Sequence, residues 1–90
     1  MQKYLAEFIG TLFLCFVIIA SPNTTMKPLT IAASLGAAIM ILGKLSGGHF
    51  NPAVTIMMMM MKKMKQDDVV PYIVAQVLGG VVAIELAKIV

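Results

Sequence analysis

The residues best placed to do chemistry lie in one string, Gly43-Lys44-Leu45-Ser46-Gly47-Gly48-His49-Phe50-Asn51-Pro52-Ala53-Val54-Thr55. Asn51 is a favoured helix N-cap, because its side-chain oxygen can accept one of the orphan N–H groups of a first turn. Pro52 suits the first helical position, where its missing N–H costs nothing and its fixed φ fits. Ser46-Gly47-Gly48 lets the backbone turn sharply and approach other segments closely. Such a loop leaves carbonyls without helical partners, and the positive end of the following helix points at the same place. That combination is suited to hydrogen-bonding a small polar molecule rather than to making or breaking bonds. His49 has no partner at ligand spacing, and the chain offers no nucleophile–base pair and no metal cluster. Neither an enzyme activity nor a cofactor or metal is expected.

The elements around this string explain what it could serve. From Ala53 to Met61 every residue but Thr55 is apolar, and Lys62-Lys63 closes the run. A helix over Pro52–Met61 would be about ten residues, roughly 15 Å, or half of a ~30 Å hydrocarbon core. A segment that reaches the midplane and stops is re-entrant, and its irregular entry is tolerable only where it is buried in protein or lines water. Channels and transporters use that geometry as their working site. Transmembrane helices are expected at about Tyr4–Ala20, Leu29–Gly43 and Val69–Ile89, with a turn at Ser21–Thr25 and a polar link over Lys62–Asp68. The expected fold is an all-α membrane protein, three transmembrane helices plus one re-entrant half-helix, in a single domain over 1–90 without linker or internal repeat. A chain with 60% hydrophobic and 12% charged residues is well outside the soluble norm.

Lysine placement orients these spans. With the N-terminus in the cytoplasm, Lys3, Lys44, Lys62, Lys63 and Lys65 lie inside, while Lys27 and Lys88 lie outside, as the positive-inside rule requires. The net charge of +3 could also suggest an anionic-lipid patch or nucleic-acid binding, but nothing aromatic or polar accompanies the lysines to support base contacts, so no nucleic-acid partner is expected. The run Phe8–Ala20 could pass for a signal peptide, yet no small-residue cleavage site follows and Glu7 is foreign to a signal core. It reads as a retained helix, with Cys15 as inert packing inside it.

The string Ser46-Gly47-Gly48-His49-Phe50-Asn51-Pro52-Ala53-Val54-Thr55 resembles the first signature of the aquaporin and glycerol-facilitator family (major intrinsic proteins) at every position. Ala6-Glu7-Phe8-Ile9-Gly10-Thr11 is similar to the start of that family's first helix, and Pro71-Tyr72-Ile73-Val74-Ala75-Gln76-Val77-Leu78-Gly79-Gly80 to its third. The resemblance covers the whole chain and half of the family fold. It implies a passive channel for water or a small neutral solute such as glycerol, in which two inverted repeats bring their half-helices together at the midplane. Gly47, Gly48, His49, Phe50, Asn51, Pro52 and Ala53 would line that pore. Glu7 would be a buried acceptor for N–H groups of the re-entrant loop, and Gln76 would tie to the same loop. The bland alternatives are an interfacial carboxylate and an ordinary interhelical hydrogen bond.

In the family that the chain resembles, the outer selectivity filter takes one residue from the second helix, twenty before the half-helix asparagine, and the resemblance implies Ile31 for that position here. An aliphatic side chain offers neither a ring to narrow the pore nor a hydrogen bond. Lys44 stands where many relatives carry histidine, so water against glycerol stays open. The resemblance also implies partners: the lipid bilayer of a plasma or inner membrane, a second aquaporin-like half from the same gene or a separate chain, and a homo-oligomer of complete pores. A fragment of a longer channel is the expected origin. The alternative reading is a non-conducting membrane scaffold or partner subunit with the same half-fold, and a secondary transporter would need more ionisable groups at mid-membrane.

Other features read as structure. Five consecutive methionines, Met57–Met61, point all around a helix, so no face presents a soft-metal cluster and they act as gap-fillers. Asn23-Thr24-Thr25 fits a glycosylation triplet but is read as a turn tight against the membrane. Ala32, Ala33, Gly36 and Ala37, and Gly79 with Ala83, give small-residue spacings that let helices approach. Glu85 and Lys88, at i and i+3, read as a helix-surface pair.

Overall fold

A computed structural model describes residues 1–90 as four helices without strands. Helix α1 spans Gln2–Ala20, α2 Lys27–Ser46, α3 Pro52–Met60 and α4 Val69–Ile89, with a 3₁₀ turn over Gln66–Asp68 leading into α4. Three of them, α1, α2 and α4 together with its 3₁₀ turn, are long and apolar enough to cross a membrane. The nine residues of α3 rise only about 14 Å. The protein is thus an all-α integral membrane protein with three membrane-length helices and one short one.

Where boundaries differ from the expected ones, the ends have local causes. Helix α1 begins at Gln2, two residues earlier than expected. Helix α2 begins at Lys27 rather than Leu29, because Pro28 is tolerated in a first turn. It runs on to Ser46 instead of ending at Gly43. Gly47 then caps it in the left-handed region at φ +93°, donating its N–H to Gly43 O at 2.7 Å. Helix α3 stops at Met60 because Lys62 turns left-handed at φ +59°, which lets the Lys62 and Lys63 N–H groups reach the Met59 and Met58 carbonyls.

Helix α1 lies between α2 and α4 and packs against both, while α3 packs against α4. The polarity of this arrangement is inverted relative to a water-soluble domain. Eight of the 17 buried residues are polar or charged, whereas Leu5, Ile9, Met40, Ile41, Val70 and Val77 are exposed. An apolar outer surface is what hydrocarbon solvates, and small buried residues such as Ala6, Ala38, Ala75 and Ala83 bring backbones together.

The closest approach is at Gly79 on α4, where a Cβ would lie 2.7 Å from Phe8 O and 3.0 Å from Leu12 N of α1. Those atoms belong to helix backbone and cannot swing aside. Gly79→Ala is therefore expected to force α1 and α4 apart, costing about 1–3 kcal/mol by overpacking. Gly80→Ala, whose Cβ would meet only Cys15 Sγ at 3.7 Å, should be neutral. Thermal melting in detergent compares the two, and equal melting temperatures would contradict the close crossing.

At one end of the bundle the start of α1 is tied to the 3₁₀ turn. Asp68 accepts from Lys3 Nζ at 2.8 Å and from Tyr4 OH at 2.6 Å. The Tyr4 ring meets Tyr72 of α4 edge to face at 5.9 Å. Glu85 and Lys88 pair at 2.7 Å on the exposed surface of α4.

Candidate functional site

The five residues between α2 and α3 are organised by a single side chain. Glu7, fully buried on α1, accepts four hydrogen bonds. Its Oε2 takes the Ser46 hydroxyl at 2.7 Å and the His49 N–H at 3.0 Å. Its Oε1 takes the Phe50 N–H at 2.8 Å and Gln76 Nε2 of α4 at 2.9 Å. A carboxylate buried in an apolar bundle is expensive unless its lone pairs are occupied, and four donors occupy these.

Gln76 donates a second time, to the hydroxyl of fully buried Thr55 on α3 at 2.9 Å, and His49 Nδ1 lies 2.9 Å from that same oxygen. Three helices and the loop therefore meet around Glu7, Gln76, Thr55 and His49. Tyr72 adds a further tie by donating its hydroxyl to Ser46 O at 2.7 Å, and its ring stands 5.0 Å from that of His49.

The loop backbone follows from these ties. Gly47 and Gly48 both take positive φ, +93° and +68°, which other residues adopt only with strain. Phe50 also sits left-handed at φ +53°. Its N–H is held by Glu7, and its buried ring fills the space where a Cβ on Gly10 would stand. Two contacts thus hold a conformation that a bulky side chain otherwise avoids.

All the hydrogen bonds made by loop N–H groups run to the protein side. Gly48 N–H goes to Ser46 Oγ at 3.1 Å, and those of His49 and Phe50 go to Glu7. No hydrogen bond within the protein reaches the carbonyls of Gly47, Gly48, His49 or Phe50. Asn51 completes the arrangement at φ −161° as the N-cap of α3, its Oδ1 accepting from Ala53 N–H at 2.7 Å. That bond fixes the amide so that Nδ2 faces away with its donors free. Asn51, Pro52 and Ala53 are exposed, whereas the His49 and Phe50 side chains are buried.

This geometry belongs to a chain whose residues 1–90 match the sequence model of the major intrinsic proteins. The chain belongs to the major intrinsic protein family. It is 39% identical to Glycerol uptake facilitator protein-like 6 of Lactiplantibacillus plantarum over 98% of this chain and 43% of that one. It is 38% identical to Aquaporin AqpM of Methanothermobacter thermautotrophicus over 91% of this chain and 44% of the relative. Against Aquaporin-8 of Mus musculus the figures are 36% identity, 99% and 37%. The chain thus spans well under half the length of these relatives. No solved structure gives a significant match.

Among the residues singled out from the sequence of this family member, Glu7, Gln76, His49, Phe50 and Asn51 come together around the loop. Gln76 reaches the loop through Glu7 and Thr55 rather than through its backbone. Ile31 stands apart, fifteen positions before Ser46 on α2, about 22 Å along the axis. It is half-buried, and its carbonyl accepts the Ser34 hydroxyl at 2.7 Å. Sequence reasoning gave Ser46 only a place in the turn, without its bonds to Glu7 and Tyr72, and assigned no role to the side chains of Thr55 and Tyr72. Thr55 carried a signal, as the one polar residue in the Ala53–Met61 run. The other two carried none, because their partners lie far along the chain.

Proposed function

We propose that this chain is the first inverted repeat of a passive channel for water or a small neutral solute. The observation that carries the reading is the one-sided loop. Its paired N–H groups all bond to the protein side, four carbonyls from Gly47 to Phe50 are left unpaired, and the Asn51 amide has its donors free. A neutral solute with both donors and acceptors replaces its lost hydration on such a row, accepting from Asn51 and donating to the carbonyls. The N-terminus of α3 carries a partial positive charge toward the same point, which disfavours cations. Glu7 and Gln76 hold the loop, Gly47 to Ala53 line the path, and Ile31 contributes to the outer filter.

The path closes only when a second, inverted half supplies the opposing wall. In this reading the N-terminus is cytoplasmic, complete pores assemble as homo-oligomers, and the host is a plasma or inner membrane. The names of the relatives support water and glycerol as the solute class.

A chimera tests this, with residues 1–90 replacing the matching first part of the Lactiplantibacillus relative in proteoliposomes. Osmotic swelling well above that of lipid alone is the expected result. In the same protein, in a Cys15→Ala background, Lys65→Cys and Asn23→Cys should react with an impermeant thiol reagent from opposite faces. Labelling from one face defeats the topology. A folded, inserted chimera without swelling would replace the channel by a non-conducting scaffold.

A further inference from the structure

The hydrogen bonds beneath the loop have a direction, and it can be followed from one end. A carboxylate only accepts, so the Gln76 atom 2.9 Å from Glu7 Oε1 must be the amide nitrogen. The second N–H of that nitrogen goes to Thr55 Oγ1. Thr55 is fully buried, so its own hydroxyl proton needs a partner inside the protein. The one remaining polar neighbour of Oγ1 is His49 Nδ1, at 2.9 Å. The Asn51 carbonyl, the usual alternative four residues back, is taken by the Thr55 backbone N–H at 3.1 Å and receives nothing from the side chain.

A neutral imidazole carries one N–H and one bare nitrogen. If the proton sat on Nδ1, Thr55 Oγ1 would receive two donors and its own proton would be stranded in the interior. With Nδ1 bare, both amide protons of Gln76 and the hydroxyl proton of Thr55 are used. The ring proton is then on Nε2. This nitrogen makes no hydrogen bond within the protein, yet it is not sealed off as Gln76 Oε1 is. It lies beside Gly47, where an added Cβ would stand 3.3 Å from it. Gly47 is exposed and its carbonyl is unpaired.

We propose that Thr55 is a positioning residue that fixes His49 as the Nε2–H tautomer, so that the ring donates a hydrogen bond to a solute oxygen beside Gly47. The solute half of this inference rests on the channel reading above. It places a donor at the Gly47 end of a row that otherwise offers only carbonyl acceptors before Asn51. A water or hydroxyl oxygen could then be held from both ends of the row. The other tautomer would present a bare nitrogen there, adding one more acceptor to four.

Histidine labelled with nitrogen-15 in the chimera reads the tautomer directly, because protonated and bare ring nitrogens resonate far apart. The His49 signals are those lost in His49→Asn. Wild type and Thr55→Ser should show a protonated Nε2 and a bare Nδ1. Thr55→Val, which removes the hydroxyl and keeps the shape, should give a mixture or the reverse. A wild-type ring protonated on Nδ1, or a Thr55→Val ring identical to wild type, overturns the assignment. Swelling should fall about two- to tenfold in Thr55→Val, the effect of one hydrogen bond, and recover in Thr55→Ser. Unchanged swelling in a folded Thr55→Val chimera whose tautomer has changed removes the His49 donor from the path and leaves the channel reading standing. A chimera with the expected tautomer that conducts nothing defeats the channel reading and the solute contact together, while the tie from Thr55 to the ring survives.

Discussion

Glu7→Ala should abolish the ordered loop and, with it, most of the protein's stability. Removing the carboxylate strands the N–H groups of His49 and Phe50 and one donor of Gln76 in a buried setting; only the Ser46 hydroxyl can turn elsewhere. Each buried donor left unpaired costs about 1–3 kcal/mol, so three cost roughly 3–9 kcal/mol, comparable with the ~5–15 kcal/mol that holds a typical domain together. The left-handed Phe50 would also lose the bond that keeps it in that region. Glu7→Gln keeps the volume and one acceptor oxygen, but turns an amide NH₂ toward other donors, and should be intermediate. Yield after membrane extraction and thermal melting in detergent measure the series. A Glu7→Ala protein with wild-type yield and melting temperature would mean that the carboxylate does not hold the loop.

Asn51→Ala should do the reverse, sparing the fold and damaging transport. The cap bond to Ala53 N–H contributes about 1 kcal/mol, and α3 keeps its anchoring through Thr55 to His49 and Gln76. What disappears is the pair of free Nδ2 donors beside the unpaired carbonyls. A solute oxygen left unpaired there meets a barrier about 1–3 kcal/mol higher, or roughly a five- to hundredfold slower passage. Swelling of chimera liposomes at matched protein content, with melting measured in parallel, separates the two effects. Unchanged swelling would remove Asn51 from the transport path while leaving the family membership untouched.

How much of this could be read in advance depended on how local each cause was. The short helix was legible because Asn51-Pro52 opens it and Lys62-Lys63 closes it within a dozen positions. Helix α4 was legible to the residue, Val69–Ile89. The ends of α2 were less so, since Ser46 remains helical partly through a bond to Glu7, 39 positions away. No spacing or periodicity in the sequence signals such a pairing, and the expectation that Glu7 holds the loop came from the family resemblance. Tyr72 and Ser46, 26 apart, and Lys3 and Asp68, 65 apart, left no sign at all. Lys3 had been read only as a topological charge and Asp68 only as part of a link. The direction of the Thr55 proton became visible only once the acceptor-only Glu7 was seen to orient the Gln76 amide.

Every donor to Glu7 leaves the ribosome after it. Ser46, His49 and Phe50 follow by 39, 42 and 43 positions, and Gln76 by 69. While α1 and α2 are being delivered to the bilayer, the carboxylate has no internal partner and is far cheaper at the water boundary, less than two turns away at the start of α1, than at its final depth. Burial of Glu7 is thus the step that can be completed only after α4 emerges, and the re-entrant loop is set in place once α4 is delivered rather than in the order in which it is translated.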